Sequence, residues 1–123
     1  MANSSSKIRL GIIGCGDMQK SHQEIFQELE DRVIVTATAD IDIERAKSAA
    51  KILGADNAFE NYRDLLGLVD AVLIATPHDL HHEIGIDSLK AGKHVLMEKP
   101  MAISEFECLD LINVAKAANK TLM

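Results

Sequence analysis

A glycine-rich segment near the amino terminus has the clearest potential for chemistry. Gly14 and Gly16 follow an aliphatic run that ends at Ile13 and precede a segment with helical periodicity. The first glycine permits a tight turn, and the second lets an anion approach the backbone because no Cβ blocks it. Free N–H groups and the dipole of the following helix favour phosphate oxygens. The residues predicted to surround a diphosphate are Gly14, Cys15, Gly16, Asp17 and Met18.

An aspartate further along the chain strengthens this interpretation. Asp40 ends a second strand-like run, where a carboxylate can accept hydrogen bonds from both hydroxyls of an adenosine ribose. Its charge repels a 2′-phosphate, and Ile41 and Asp42 follow it rather than Arg or Lys, so the sequence favours NAD over NADP. Two alternatives stay open: a plain glycine turn without a dinucleotide, and a strand-end carboxylate. Gln19 also replaces the small third residue of the fingerprint.

Alternating strand and helix patterns must position these residues. Apolar and β-branched runs typical of buried parallel strands occupy residues 7–13, 33–39, 57–59, 70–75 and 94–97, and 120–123 resemble a strand that has only begun. Apolar stripes between the strands predict helices. Their predicted N-caps are Asp42, Asn61 and Ser104, and their predicted ends are Gly54, Gly67 and Gly92. The alternation predicts a doubly wound, mostly parallel α/β sheet in three α/β/α layers.

The composition is that of one ordinary globular domain. The 123 residues are 47% hydrophobic and 26% charged, with a net charge of -6, which excludes disordered, collagen-like and disulfide-stapled classes. The acidic balance disfavours nucleic acid and anionic membranes as partners, and no apolar run is long enough to span a bilayer. Neither the two cysteines nor His78, His81 and His82 have metal-ligand spacing. We expect a cytoplasmic protein with a disordered tail at residues 1–6, one domain at 7–123 and no metal.

Four segments, taken together, carry a family resemblance. They are Gly-Ile-Ile-Gly-Cys-Gly at residues 11–16, Asp40, Ala-Thr-Pro-His-Asp-Leu-His at 75–81, and Ala-Gly-Lys-His-Val-Leu-Met-Glu-Lys-Pro at 91–100. From Lys7 onward the chain resembles the glucose-fructose oxidoreductase / inositol dehydrogenase family, often written Gfo/Idh/MocA. The resemblance implies an N-terminal Rossmann domain that binds NAD or NADP, followed by a larger domain that holds a sugar, polyol or related substrate.

The resemblance also implies roles for residues beyond the glycine loop. Thr76 and Pro77 would line the dinucleotide, and Lys99 would lie near the nicotinamide and the substrate hydroxyl, where it is the predicted catalytic base. On the residues alone, a surface lysine paired with Glu98 is the favoured interpretation of Lys99. The other residues predicted to bind or border the cofactor are Ile41, Ala75, His81 and Glu98.

The predicted function is dinucleotide binding within an oxidoreductase that transfers hydride between NAD(P) and a sugar, polyol or related hydroxyl substrate. We expect the chain alone to be inactive because its substrate domain would lie beyond Met123. The bare edge of a strand begun at 120–123 would favour self-association into a homo-oligomer. The alternative is a non-catalytic nucleotide-binding or assembly module. A methyltransferase that uses S-adenosylmethionine also has a glycine loop, but here no acidic residue immediately precedes Gly14.

Overall fold

A computed structural model describes residues 7–16 and 24–123, which build a five-stranded sheet. The strands are β1 (Ile8–Ile13), β2 (Val33–Ala39), β3 (Asn57–Phe59), β4 (Ala71–Ile74) and β5 (His94–Met97). Their order is β3-β2-β1-β4-β5, and every neighbouring pair is parallel. The chain therefore winds outward in both directions from β1, which confirms the predicted fold class. Ligands of such sheets bind where the carboxyl ends of the strands diverge, here between β1 and β4.

The helices between the strands begin and end largely where the sequence predicts. They are α1 (Ile43–Leu53), α2 (His81–Lys90) and α3 (Glu105–Ala118), with 3-10 helices at Tyr62–Leu68 and His78–Leu80 and a helical segment at 24–28. Asp42, Asn61 and Ser104 each accept a backbone N–H as N-caps. Gly54 ends α1 in the left-handed region, at φ 76°. Short polar caps and this glycine thus fix the helix boundaries, as expected.

The prediction that the helix after Asn61 ends at Gly67 is wrong. The segment is a 3-10 helix that passes through Gly67 and ends at Leu68, and the next residue, Val69, is extended and fully buried. Packing explains the difference, because a Cβ on Gly11 of β1 would lie 2.9 Å from side-chain carbons of both Leu65 and Val69. These two side chains press against the bare backbone of β1, and that contact decides where the helix ends.

Side chains of the central strands alternate between two apolar clusters. Ile13 and Ile74 belong to the cluster that includes residues of α2 and α3, whereas Ile12 and Leu73 belong to a cluster on the α1 side. The sheet is therefore covered on both faces, as the three-layer prediction requires. Beyond β5, Leu122 makes a parallel bridge to Val95, which agrees with a strand beginning at residues 120–123.

Part of the sequence prediction lies outside the described residues. This applies to the tail at residues 1–6 and to Asp17, Met18 and Gln19. In the part of the chain that the structure describes, no helix is long and apolar enough to cross a membrane.

Candidate functional site

A cleft with a volume of about 530 Å³ opens at the carboxyl ends of β1, β2 and β4. This volume falls within the range of small-molecule sites, and the position is the ligand crevice of a doubly wound sheet. The predicted site residues that line it are Gly14, Cys15, Gly16, Asp40, Ile41, Ala75, Thr76 and Pro77. The fold thus brings together residues that are up to 63 positions apart in the chain, counting from Gly14 to Pro77.

The glycine loop closes directly against the end of β4. Gly14 has a φ of 94°, and a Cβ at this position would lie 2.7 Å from the backbone carbon and oxygen of Ala75. Its N–H donates to Ala39 O at 2.9 Å, which ties the turn to β2. A Cβ on Gly16, in contrast, would meet no heavy atom within 4 Å. Gly14 therefore serves the turn itself, whereas Gly16 leaves open space in which an anion can approach the backbone.

Asp40 is bound to the glycine loop by a direct hydrogen bond. The Cys15 N–H donates to Asp40 Oδ2 at 2.8 Å, and the Asp42 N–H donates to Asp40 Oδ1 at 2.8 Å. A carboxylate offers about four lone-pair positions, so each oxygen keeps capacity for a further donor. The carboxylate is thus held in place by two amides and can accept both hydroxyls of a ribose.

Cys15 is a small packing residue of the loop. Its side chain is buried, and its thiol donates to Ala39 O at 3.4 Å. Burial, together with the nearby Asp40 charge, raises the pKa of the Cys15 thiol to about 12. The alternative of a reactive thiol is therefore disfavoured, because the thiolate is the nucleophile.

On the opposite side of the cleft, Thr76 follows β4 and has an unusual hydroxyl. Its Oγ1 is buried and has no hydrogen-bond partner within the described part of the chain. A buried hydroxyl without a partner costs free energy, and a polar group of a ligand in the cleft would satisfy it. The buried Ser88 hydroxyl also lacks a partner among the described residues, but Ser88 does not line the cleft.

Three other predicted site residues lie beside the cleft rather than in its wall. Glu98 continues the β4–β5 ladder, since its N–H donates to Ile74 O at 3.0 Å, and its side chain is half-buried. Lys99 follows it and is exposed. His81 is fully buried, with its ring nitrogens on backbone carbonyl oxygens. Both Lys99 and His81 are absent from the residues that line the cleft.

Sequence reasoning missed several polar residues of the cleft wall, namely Arg45, Glu60, Tyr62 and Glu83. They come from segments between the strands, and only the packing of those segments brings them to the cleft. Arg45 is the one with most bearing on ligand choice: it stands in the first turns of α1, on the Asp40 side, with its Nε 3.7 Å from Asp42 Oδ2. The available signal was the position of Arg45, five residues after Asp40 and in the first turn of the helix that Asp42 caps.

Tyr62 is anchored to α2 by a polar network. Its hydroxyl donates to Asp87, which also accepts from the Arg63 guanidinium at 2.9 Å. The guanidinium carbon stands 4.7 Å from the centre of the Tyr62 ring. Burial and the Asp87 carboxylate raise the pKa of the Tyr62 phenol. Tyr62 is therefore a neutral, fixed wall residue and is unsuited to proton transfer near neutral pH.

The site accommodates a dinucleotide by three separate criteria. Gly16 presents open backbone, Asp40 presents a fixed carboxylate, and Thr76 presents a buried hydroxyl that lacks a partner. The first two follow β1 and β2, and the third follows β4, so the set spans the switch point of the sheet.

Comparison with known proteins gives a consistent result. A family model described as "Oxidoreductase family, NAD-binding Rossmann fold" matches residues 8–123. Among curated proteins, the chain is similar to glycosyl hydrolase family 109 protein 1 of Shewanella sp. (strain ANA-3), with 33% identity over 94% of this chain and 28% of that protein. The chain thus spans less than a third of the length of this relative.

Solved structures show the same relation. The WlbA dehydrogenase from Chromobacterium violaceum, in complex with NADH and UDP-GlcNAcA, is 32% identical with a TM-score of 0.89, over 96% of this chain and 34% of that one. The 3-ketoreductase KijD10 from Actinomadura kijaniata, in complex with NADP, is 37% identical with a TM-score of 0.87, over 95% of this chain and 38% of that one.

Proposed function

The chain belongs to the Gfo/Idh/MocA oxidoreductase family with its NAD-binding Rossmann fold, and we propose that it is the cofactor-binding part of an enzyme that oxidises or reduces a sugar-like substrate. The observation that carries the proposal is the hydrogen bond from Cys15 N–H to Asp40 Oδ2 at 2.8 Å. It links the phosphate loop and the ribose carboxylate, so the two subsites hold a fixed distance from each other.

Each side chain then has a defined task. Amides of the loop at 14–16 bind the diphosphate, and Asp40 accepts the hydroxyls of the adenosine ribose. The bound dinucleotide supplies the hydride donor or acceptor. Lys99, exposed at the carboxyl end of β5, binds the substrate oxygen and exchanges its proton during the reaction.

We propose NAD as the preferred cofactor, with incomplete exclusion of NADP. The Asp40 carboxylate repels a 2′-phosphate, whereas Arg45 lines the same cleft and attracts one. Related proteins are consistent with either outcome, because WlbA was solved with NADH and KijD10 with NADP.

We further propose that the substrate is a sugar or a sugar nucleotide held mainly by a separate domain. WlbA binds UDP-GlcNAcA, and this chain aligns with about a third of that protein. The domain at residues 7–123 would then bind the dinucleotide by itself and catalyse no substrate oxidation. A homo-oligomer is compatible with this arrangement.

Isothermal titration calorimetry of the chain with NAD⁺, NADP⁺ and S-adenosylmethionine tests the proposal. We expect one-site binding of NAD⁺, with NADP⁺ weaker by about tenfold, since repulsion between the partly buried Asp40 carboxylate and a 2′-phosphate costs roughly 1.4 kcal/mol. S-adenosylmethionine should give no heat. Absence of binding by both dinucleotides, or binding of S-adenosylmethionine alone, contradicts the proposal.

The role of Lys99 needs a protein in which this chain is joined to a substrate domain of the family. Lys99→Ala should lower turnover by roughly a hundredfold or more, because general acid–base groups contribute about that much. NAD⁺ affinity should stay within about twofold, since the side chain lies outside the cleft wall. Full turnover by the variant would refute the role of Lys99, whereas a joined protein with Lys99 intact that binds NAD⁺ but turns over no substrate would favour the alternative of a non-catalytic binding module.

The similarity to a glycosyl hydrolase family 109 protein favours a second candidate function. Some glycosidases depend on a bound dinucleotide, so the same cleft could serve hydrolysis without net oxidation. The joined protein separates the two functions: a dehydrogenase accumulates NADH in proportion to substrate consumed, whereas a hydrolase releases free sugar and leaves the NADH absorbance constant.

A further inference from the structure

His81 is a fully buried polar residue at the start of α2. Its Nε2 lies 2.9 Å from Thr76 O, and its Nδ1 lies 2.8 Å from Pro100 O. The first carbonyl belongs to the segment after β4, and the second belongs to the segment after β5. A single imidazole ring thus spans the two segments that border the β4–β5 side of the cleft.

We propose that His81 is a positioning residue that clamps these two segments together and thereby fixes Lys99 relative to the cleft wall. The inference rests on the proposed function, because it assigns the β4–β5 side to the nicotinamide half of the cofactor. Asp40 stands at the end of β2, so the adenosine half occupies the other side of the switch point.

The clamp acts beyond the hydrogen bonds of the sheet. At this edge the ladder includes Ala75 N–H to Ile13 O at 2.8 Å and Glu98 N–H to Ile74 O at 3.0 Å. Thr76 and Pro100 come after these bonds in the chain, and their carbonyl oxygens face His81 instead. The side chain therefore continues, between two loops, the connection that backbone bonds provide between β4 and β5.

The chemistry of the ring decides how many segments it holds. Carbonyl oxygens only accept hydrogen bonds, so each contact needs an N–H on the facing nitrogen. A neutral imidazole has one N–H and binds one segment, whereas the doubly protonated ring donates to both. Removing the fully buried ring would deprive the carbonyl oxygens of Thr76 and Pro100 of this donor, and the loss of a hydrogen bond costs free energy.

The position of the contacts gives the clamp its functional meaning. Thr76 lines the cleft and carries the buried hydroxyl that has no partner in the described chain, while Pro100 directly follows Lys99. One ring therefore joins a wall residue and the neighbour of the proposed base. His82, the next residue, points elsewhere and bonds to Asp110 of α3 at 2.7 Å.

The test compares two ligands of the same cleft, NAD⁺ and ADP-ribose, of which only NAD⁺ carries nicotinamide. His81→Leu, which removes both donors, should weaken NAD⁺ binding at least about tenfold more than ADP-ribose binding, as expected for loss of hydrogen bonds on one side of the cleft. His81→Gln keeps one donor and should recover part of the difference. His82→Gln, the matched control, should leave the ratio of the two affinities unchanged.

A purely structural role predicts a different pattern. If both ligands weaken equally in the His81 variants, or if neither weakens, the clamp is refuted. Should the leucine variant fail to fold, the glutamine variant and nitrogen-15 NMR of the unaltered protein still decide, because the clamp requires ring N–H protons that exchange slowly with water. A ring with an N–H on only one nitrogen, or with fast-exchanging protons, refutes the clamp. If the unaltered chain binds neither ligand, the proposed function fails, whereas the ring spectrum still tests the contact.

Discussion

The carboxyl and amino edges of the parallel sheet use their polar groups in opposite ways. At the amino edge, Asp70 accepts from the Arg9 N–H at 2.9 Å and from its guanidinium at 2.8 Å, so a cation and an anion neutralise each other. At the carboxyl edge, Asp40 accepts from two backbone amides, and the Thr76 hydroxyl is buried without a partner in the described residues.

The two aspartates show what this difference means. Each lies at a strand end and accepts an N–H from β1 or the loop that follows it, so each links neighbouring strands. The Asp70 carboxylate forms an ion pair with Arg9, whereas the Asp40 carboxylate faces the cleft and can accept further hydrogen bonds. Stabilising groups at one edge and ligand-binding groups at the other are what the doubly wound topology allows, because only the carboxyl ends diverge into a crevice.

The largest expected effect concerns the thiol at the carboxyl edge. With a pKa of about 12 against an ordinary 9.0, Cys15 has roughly a thousandfold less thiolate near neutral pH than a free cysteine. In a Cys108→Ser protein, iodoacetamide should therefore modify Cys15 about a thousandfold more slowly in buffer than in urea. Because the folded pKa is raised, Cys15 should also cost stability as pH rises above 9.0. If iodoacetamide modifies Cys15 in buffer at a rate within tenfold of the rate in urea, the thiol is exposed to solvent and the prediction is wrong.

The second prediction breaks the carboxyl edge through its backbone. Gly14→Ala should lower the free energy of unfolding by roughly 2 to 4 kcal/mol, since an L-residue is strained at φ 94° and its Cβ meets Ala75 backbone at 2.7 Å. Urea denaturation measures the loss. Gly16→Ala is the matched control, because its Cβ has open space: stability should change by less than about 0.5 kcal/mol while NAD⁺ affinity falls roughly tenfold. Equal destabilisation by both substitutions would contradict the assignment of the turn to Gly14 and of the open anion-binding backbone to Gly16.

The third prediction removes the charge that distinguishes the carboxyl edge. Asp40→Asn should weaken NAD⁺ binding by roughly tenfold to thirtyfold, because charge-assisted hydrogen bonds to the ribose are replaced by weaker ones. NADP⁺ should lose less, since the repulsion of its 2′-phosphate disappears. Arg45→Ala should weaken NADP⁺ and leave NAD⁺ unchanged. Calorimetry gives the affinity of each of the two variants for each of the two cofactors. If a variant loses affinity equally for NAD⁺ and NADP⁺, its residue does not determine which cofactor is preferred.

Local signals made much of the molecule predictable from sequence. Buried parallel strands consist of continuous apolar residues, and the caps Asp42 and Ser104 act on their own helices, so the positions of the five strands and most helix boundaries followed from short-range patterns. The cleft residues at 14–16 and Asp40 are adjacent to strand ends for the same reason. The spacing of Ser104 and Glu107 is that of a capping box, in which each side chain accepts from the other residue's backbone N–H. The Ser104 hydroxyl does accept from the Glu107 N–H at 3.1 Å, but Glu107 Oε1 accepts from Ile103 N–H at 3.3 Å rather than from Ser104.

Long-range packing decided what the sequence could not show. Arg45 and Tyr62 reach the cleft only through the way α1 and a 3-10 helix lie on the sheet. The contacts of His81 join carbonyl groups 24 residues apart, counting from Thr76 to Pro100, and carbonyls leave no trace in side-chain patterns. Gly67 failed as a helix end because buried Val69, two residues later, sets that boundary.

The smallest expected effect concerns the ion pair between Arg9 and Asp70 at the amino edge. Hydrogen bonds from Arg9 hold the pKa of the Asp70 carboxyl below its ordinary 3.8. A depressed folded pKa adds stability that is present above pH 3.8 and is lost as pH falls through the folded pKa. Asp70→Asn should therefore lower the melting temperature by about 2 °C or less at neutral pH, since both side chains are about half exposed to solvent, and the difference should vanish in acid. Asp56→Asn, at another exposed carboxylate, controls for the change in net charge. NAD⁺ affinity should be the same in both variants as in the unaltered chain, because the charge at the amino edge stabilises the sheet and does not contact the cleft. A weakened NAD⁺ affinity in Asp70→Asn alone would show that the two edges are coupled.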